Sequence, residues 1–331
     1  MSQPKLTYLG PQGTFTHQAA LQAADQLVRE YGVAQPRLEA APDVPSIMHV
    51  VESGDSWGVI AWENNVEGYV MPNLDALIDA DDAAGFARVG IDVAFDAFVK
   101  SGVQQDIDGC EVCAHPHGLA QCKRFIEQHH LRAVPASSNA AACRDLNDGQ
   151  VALGPSICGE LYGLETVARQ VQDFTGARTE FLVVAPRDEV RALSAQSKQS
   201  KQAKQAEFET IVVFIPLATG PGVVADLLDV VRDAGLNMTS LISRPIKGHD
   251  GTYSFIATVD AAAWEPRFRD MITQVAEHGD WVKTVAVYPR REHPNPPVDS
   301  WMLPSGGVRL DATHLEEGWQ AGQRVGRELL W

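Results

Sequence analysis

The chain has 331 residues, 45% of them apolar, with five cysteines and a formal net charge of −16. That length gives room for two or three compact units, and the acidic balance excludes nucleic acid and anionic membrane surfaces, which need basic patches. No apolar run is long enough to span a bilayer, and the opening MSQPKLTYLGPQG lacks signal-peptide architecture, so a cytoplasmic protein is expected.

In chain order, KLTYLG reads as a strand, THQAALQAADQLVREYG as a helix, WGVIAWE as a strand, NLDALIDAD as a helix and IDVAFDAFV as a strand. VCAHP follows, then helices over GLAQCKRFIEQHH and AACRDLNDG, the strand VALGP, the helix SICGELYG and the strand EFLVVAP. Such alternation predicts an α/β architecture with largely parallel sheets. Residues 187–208 are rich in Gln, Lys, Ser and Ala without apolar periodicity, and read as a linker or exposed helix. From 209 to 289 the order becomes strand, helix, strand, strand, helix, strand, the βαββαβ order of ferredoxin-like units. The remainder opens on the turn-forming RREHPNPPVDS and ends in the amphipathic THLEEGWQAGQRVGRELLW.

Three corners carry small hydroxyl or amide residues where a strand meets a helix. In GPQGTFTHQAA, Gly10 and Gly13 permit a tight turn and Thr14 and Thr16 can cap the next helix. ENNVEGYVMPN is a second corner, and PASSNAAACRDL sets Ser137, Ser138 and Asn139 at a helix start. Each alone reads as a simple cap; together they point to a small anion in a cleft, because helix N-termini present free N–H groups and a positive dipole end. A phosphate loop with its lysine and a dinucleotide fingerprint are both missing from the first turn. Cys110, Cys113, His115, His117 and Cys122 have a spacing that zinc or redox chemistry uses, but there is no second CxxC and ordinary thiols compete. In GARTEF, Thr179 enters an apolar run between Arg178 and Glu180, and strand alternation puts it on the face opposite both charges.

YLGPQGTFTHQAA, AWENNVEGYV, AHPHGLAQC, ASSNAAA, ELYGLE and ARTEFLVVA, in this order, resemble the successive motifs of prephenate dehydratase. GPGVVADLL and NMTSLISRP resemble its regulatory ACT domain. The resemblance implies a catalytic domain over 1–187, built of two α/β lobes like periplasmic binding proteins with the substrate in the cleft. It further implies a linker over 188–208, an ACT domain over 209–289, a tail with a helix over 290–331, and a homodimer or homotetramer. The family reaction converts prephenate to phenylpyruvate, water and carbon dioxide without cofactor or metal, and ACT domains bind L-phenylalanine at a dimer interface. By the resemblance Thr179 is the catalytic hydroxyl, the first residue of the family's Thr-Arg-Phe triplet, here Thr179-Glu180-Phe181. Gly13, Thr14, Phe15, Glu63, Asn64, Ser137, Ser138, Asn139, Arg178 and Phe181 are the expected substrate contacts. Gly222, Val223, Val224, Asn237, Met238, Ser243, Arg244 and Pro245 are the expected contacts of L-phenylalanine.

The chain departs from the family at several of these positions. Glu180 reverses the charge of the triplet's arginine, so either Arg178 pairs with it or supplies the cation, or the position faces away from the cleft. Asn65 replaces a serine, Tyr69 a small residue and Ile242 the glutamate of Glu-Ser-Arg-Pro, while Gly222-Val223-Val224 stands for Gly-Ala-Leu. His17 and His115 are candidates for proton transfer against a turn or helix-surface reading. Two alternatives stay open: altered chemistry on prephenate, such as decarboxylation without aromatisation, and a non-catalytic protein that binds small anions or amino acids.

Overall fold

The computed structural model describes residues 4–102, 106–197, 207–217, 220–246, 251–277 and 279–290. The expected tail helix and residues 198–206 of the expected linker lie outside these described residues. The first lobe runs β1 (Lys5–Leu9), α1 (Phe15–Tyr31), β2 (Arg37–Ala41), α2 (Val44–Glu52), β3 (Trp57–Asn64), β4 (Gly68–Tyr69), α3 (Met71–Asp79) and β5 (Ala83–Asp92). The second lobe runs β6 (Asp96–Lys100), β7 (Glu111–Ala114), α4 (Pro116–Gln121), α5 (Lys123–Gln128), β8 (Arg132–Pro135), α6 (Asn139–Arg144), β9 (Gln150–Gly154), α7 (Ile157–Tyr162) and β10 (Leu164–Ala168). The chain then returns to the first lobe as β11 (Arg178–Pro186) and α8 (Arg187–Ser197).

IDVAFDAFV is therefore not one strand: it divides at 93–95 between two sheets, and the AAGFARVG stretch before it belongs to β5. The outgoing and returning segments are hydrogen-bonded to each other. Val93 N–H donates to Ala177 O at 2.7 Å, and Phe95 N–H to Oε1 of the buried Gln172 at 3.0 Å. Nor are the sheets largely parallel. β11 is antiparallel to both β3 and β5, and β6 to both β9 and β10, because a chain that leaves a lobe and comes back reverses its direction there. The helix expected over GLAQCKRFIEQHH breaks at Cys122, after which the Asp173 carboxylate accepts from the N–H groups of Lys123 and Arg124, both at 3.0 Å.

Residues 187–197 take the helical of the two readings, but the helix is not exposed on every side. Val190 and Leu193, three positions apart, share one helical face and are buried in the core cluster that α1 covers. Glu189 anchors the exposed side of α8 by accepting from Trp57 Nε1 at 2.7 Å.

The C-terminal unit comprises β12 (Phe208–Ile215), α9 (Val223–Asp233), β13 (Met238–Pro245), β14 (Tyr253–Val259), α10 (Pro266–Glu277) and β15 (Trp281–Pro289). Its strands are antiparallel in the order β15-β12-β14-β13. Side chains of β12 alternate: Val212 and Phe214 pack under α9 and α10, whereas Ile211 and Val213 join a cluster with Ile47, Leu74 and Leu77 of α2 and α3. Ala286 of β15 pairs with Gly85 of β5, so the unit's sheet continues that of the first lobe.

Leu193→Ala should cost about 2–5 kcal/mol in urea unfolding, the usual range for a buried leucine, whereas a solvated spacer would show almost no change.

Candidate active site

A cavity of about 270 Å³ is lined by Leu9, Gly10, Thr14, Phe15 and Thr16 of the first lobe and by His115, Ser137, Ser138, Asn139 and Pro155 of the second. Five expected contacts, Thr14, Phe15, Ser137, Ser138 and Asn139, thus meet across the lobes. Two of the three corners face each other here. Thr14 caps α1 by accepting from His17 N–H at 3.1 Å, and Ser138 caps α6 by accepting from Ala141 N–H at 2.9 Å. The first two amides of α1, those of Phe15 and Thr16, have no acceptor within the helix and lie at the positive end of its dipole. Asn139 is held by its side-chain Oδ1, which accepts from His115 N–H at 2.9 Å.

Gly13 is buried one residue outside the lining. Its φ of +86° and the place its Cβ would take, 3.0 Å from Tyr162 Oη and 3.2 Å from Cys158 Sγ, both require glycine. The same two side chains clasp the lobes: Tyr162 Oη donates to Gln12 O at 2.6 Å and Cys158 Sγ to Gly13 O at 3.2 Å. His17 is buried and stacked on Tyr8, and its Nδ1 accepts from Gly13 N–H at 3.1 Å. Burial pushes its pKa down, so the ring is neutral at pH 7 and supports the turn. His115 Nδ1 accepts from His117 N–H at 3.3 Å, capping α4.

Thr179 and Asn64 form a second centre, outside the lining of that cavity. They pair across β11 and β3, with Asn64 Nδ2 donating to Thr179 Oγ1 at 2.9 Å. Asn64 Oδ1 accepts from the N–H groups of Val66 and Glu67, both at 2.9 Å, which fixes the orientation of the amide. The ENNVEGYVMPN corner is consequently no open anion site: the Asn64 carbonyl fills its turn, and α3 starts only after Val70, with no side-chain cap. Asn65, not among the expected contacts, holds the start of β11 by accepting from Arg178 N–H at 2.7 Å and donating to Gly176 O at 2.8 Å. The exchange of serine for asparagine was its signal in the sequence.

Three expected substrate contacts are placed elsewhere. Phe181 is 2% exposed, on the Thr179 face but deep in the core under α1. Glu63 and Arg178 lie on the opposite face, where strand alternation sends the neighbours of Asn64 and Thr179. Glu180 is buried there and accepts from Arg178 Nε at 2.8 Å and Arg88 Nε at 2.9 Å. Arg178 also donates to Asp92 at 2.8 Å, and its guanidinium fills the space a Cβ of Gly90 would need. The charge reversal thus faces away from the Asn64–Thr179 pair and is matched by two guanidinium groups. Arg88 was missed because its strand was not read; a lone arginine in the apolar run AAGFARVGID is the signal that marks it.

Cys113 and Cys122 are buried in different apolar clusters, and burial pushes the Cys122 thiol up to about 12. Among the described residues no three His, Cys, Asp or Glu side chains converge as metal ligands. The expected L-phenylalanine contacts divide. Gly222, Val223 and Val224 start α9, and Ser243, Arg244 and Pro245 end β13, but Asn237 and Met238 lie past the other end of that 11-residue helix, about 16 Å from its start. Arg244 donates to Asp75 of α3 at 2.7 Å.

Burial works to raise the Glu180 carboxyl, and Arg88 and Arg178 outweigh it, holding the carboxyl below its ordinary 4.5. Burial pushes Glu63 up, only partly opposed by Arg88. The stability from Glu180 is therefore complete above pH 4.5 and lost as pH falls through its folded value; that from Glu63 is present below 4.5 and lost as pH rises through its own. In urea melts from about pH 3 to about pH 7, Glu180→Gln should cost ~3–5 kcal/mol at neutral pH and flatten the acid limb, while Glu63→Gln should gain on the parent as pH rises.

The prephenate dehydratase family model matches residues 6–189. Prephenate dehydratase of Mycolicibacterium gilvum is 31% identical over 262 residues, covering 76% of this chain and 80% of its own. The crystal structure of prephenate dehydratase in complex with L-Phe from Arthrobacter aurescens superposes with a TM-score of 0.68 at 23% identity, covering 98% of this chain and 99% of its own. A structure described as a novel type of quorum-quenching acylase superposes with a TM-score of 0.71 at 20% identity, covering 86% of this chain and 98% of its own, which shows how far one fold extends across chemistries. The family match covers both lobes and every residue of the two centres. The chain belongs to the prephenate dehydratase family.

Proposed function

We propose that the chain converts prephenate to phenylpyruvate, water and carbon dioxide, with the Thr179 hydroxyl hydrogen-bonded to the departing ring hydroxyl. The observation that carries this is the direction of the Asn64–Thr179 hydrogen bond: Oγ1 accepts from Nδ2, so the hydroxyl proton is left to be donated. Loss of the ring carboxylate sends the electrons of the breaking C–C bond into the ring as the C–O bond breaks, and aromatisation drives both. What the enzyme supplies is help for the leaving hydroxide. A threonine hydroxyl is too weakly acidic to transfer its proton unaided, but a donor already polarised by an amide stabilises the charge as it develops. The two substrate carboxylates match the α1 amides and the Ser137 and Ser138 hydroxyls, with Phe15 and Asn139 shaping the cavity, Gly13 admitting the clasp, and Thr14, whose own hydroxyl donates to Pro11 O at 3.0 Å, fixing the start of α1. Glu63 and Arg178 support the strands from the opposite face, and Phe181 from the core under α1. Glu180 and Tyr69, which favour altered chemistry in the sequence, both lie on the face away from Thr179.

The same reading takes the two lobes as an arrangement like periplasmic binding proteins, and residues 209–289 as a ferredoxin-like ACT unit that binds L-phenylalanine in a homodimer or homotetramer. The strand order β15-β12-β14-β13, with both helices on one face, supports it, as does the exposed edge of β13, where Leu241 is unburied.

With prephenate at neutral pH, Thr179→Ala should lower kcat for phenylpyruvate formation about 10²–10³-fold, with Thr179→Ser retaining most of it. An unchanged rate in Thr179→Ala would remove the donor role, and consumption of prephenate without phenylpyruvate would point to altered chemistry. L-phenylalanine should give a saturable heat in titration calorimetry that Gly222→Val abolishes; no heat in the parent would exclude it as effector.

A further inference from the structure

Thr179 is the second residue of β11, just past the crossing between the lobes. Asn65 holds the residue before it, but the ladder is interrupted after it: Glu180 pairs with Glu63 whereas Phe181 pairs with Ala61, so Trp62 is the extra residue of a bulge. The ladder to β5 runs unbroken from Arg178 to Val183, so the freedom left to Thr179 is on the β3 side, where side chains of the opposite face flank the bulge. Glu180 is the centre of these. Through Arg178 it is tied to Asp92 on β5, and Arg88 joins it to the C-terminal unit, with Arg88 Nη1 donating to Glu209 Oε2 of β12 at 3.3 Å. Glu209 is itself buried, and Arg88 lies over the buried Tyr288 ring of β15, 5.7 Å from its centroid. A second contact runs parallel to the first: Tyr69, paired with Glu63 on β4, donates to Ser240 of β13 at 2.7 Å. Carboxylate and guanidinium groups enclosed in this way have few alternative partners, so a displacement at one end is passed to the other.

We propose that Glu180 is a positioning residue for Thr179, and that Glu209 of the C-terminal unit acts on Thr179 through Arg88 and Glu180. Resting on Thr179 as the hydroxyl donor, this couples the C-terminal unit to the site, although among the described residues that unit contributes none to either centre. Without the Glu209 charge, Arg88 keeps Glu180 and the nearby Glu63 but loses its tie to β12, β11 loosens against β3, and the Thr179 hydroxyl loses its alignment. Misplacement by about 1 Å costs on the order of 10²-fold in rate, so a partial loosening falls within measurement.

The test uses the full chain with Glu209→Gln, Glu209→Asp, Glu180→Gln and the Glu209→Gln/Glu180→Gln double variant, and Asp229→Asn on exposed α9 as control. Glu209→Gln should lower kcat about tenfold with KM within about twofold, and Glu209→Asp, which keeps the charge, should recover most of the loss. The double variant should be no slower than Glu180→Gln, since both act through one chain. Independently of turnover, the Asn64 side-chain amide resonance should shift in Glu209→Gln and stay in place in Asp229→Asn. Unchanged kcat with an unmoved resonance, or losses that multiply in the double variant, would overturn the proposal. If Thr179→Ala keeps full turnover the donor role fails instead, and the Asn64 resonance still decides the positioning claim; it also decides it if Glu180→Gln does not fold.

Discussion

Successive residues of β11 point to opposite sides of its sheet, and that alternation divides the work of the molecule. Thr179 and Phe181 face α1, the first meeting Asn64 and the second filling the core. Arg178, Glu180 and Leu182 face the other way, towards Arg88 and the C-terminal unit. The buried Glu180 carboxylate, enclosed by two guanidinium groups, is the interaction on which this arrangement depends. Removing either partner leaves the buried charge with a single guanidinium, and removing the carboxylate leaves both of them without it, each costlier than losing a surface ion pair.

The crossing between lobes explains why so much is concentrated there. A two-lobed α/β protein needs a chain that leaves one sheet and returns to it, so β11 lies antiparallel between the otherwise co-directional β3 and β5. Its first residues border the second lobe, and its later ones lie in the middle of the larger sheet. Any change in the angle between the lobes bears on Asp92, Arg178 and Thr179. The clasp of Tyr162 and Cys158 on the Gly13 turn holds the cavity side of the same movement.

Two kinds of polar centre result, each built by a different rule. Around the cavity, caps use up particular donors of two helix starts and leave the first amides of α1 without an acceptor in the helix. At Asn64 and Thr179, side chains rather than helix ends set the direction of the hydrogen bond. The first arrangement suits fixed negative charge, and the second suits an oxygen on which charge appears only as a bond breaks.

Local features were legible in the residues themselves. The α/β alternation, the βαββαβ order from 209 onward, the capping roles of Thr14 and Ser138, and the placing of Thr179 opposite Arg178 and Glu180 all follow from periodicity and capping chemistry. The ordered motifs added the family, which composition and spacing do not contain. The pairing of Glu180 with Arg178 was legible two positions away, but its second partner was not, because Arg88 lies 92 positions before it, and Glu209, which meets the same arginine, lies 121 positions beyond Arg88. The division of IDVAFDAFV between two sheets, the burial of Val190 and Leu193, and the separation of Asn237 from Gly222 were hidden for the same reason. Periods and caps are properties of a few consecutive residues, whereas register between distant strands, and the matching of buried charge that follows from it, exist only once those strands are packed together.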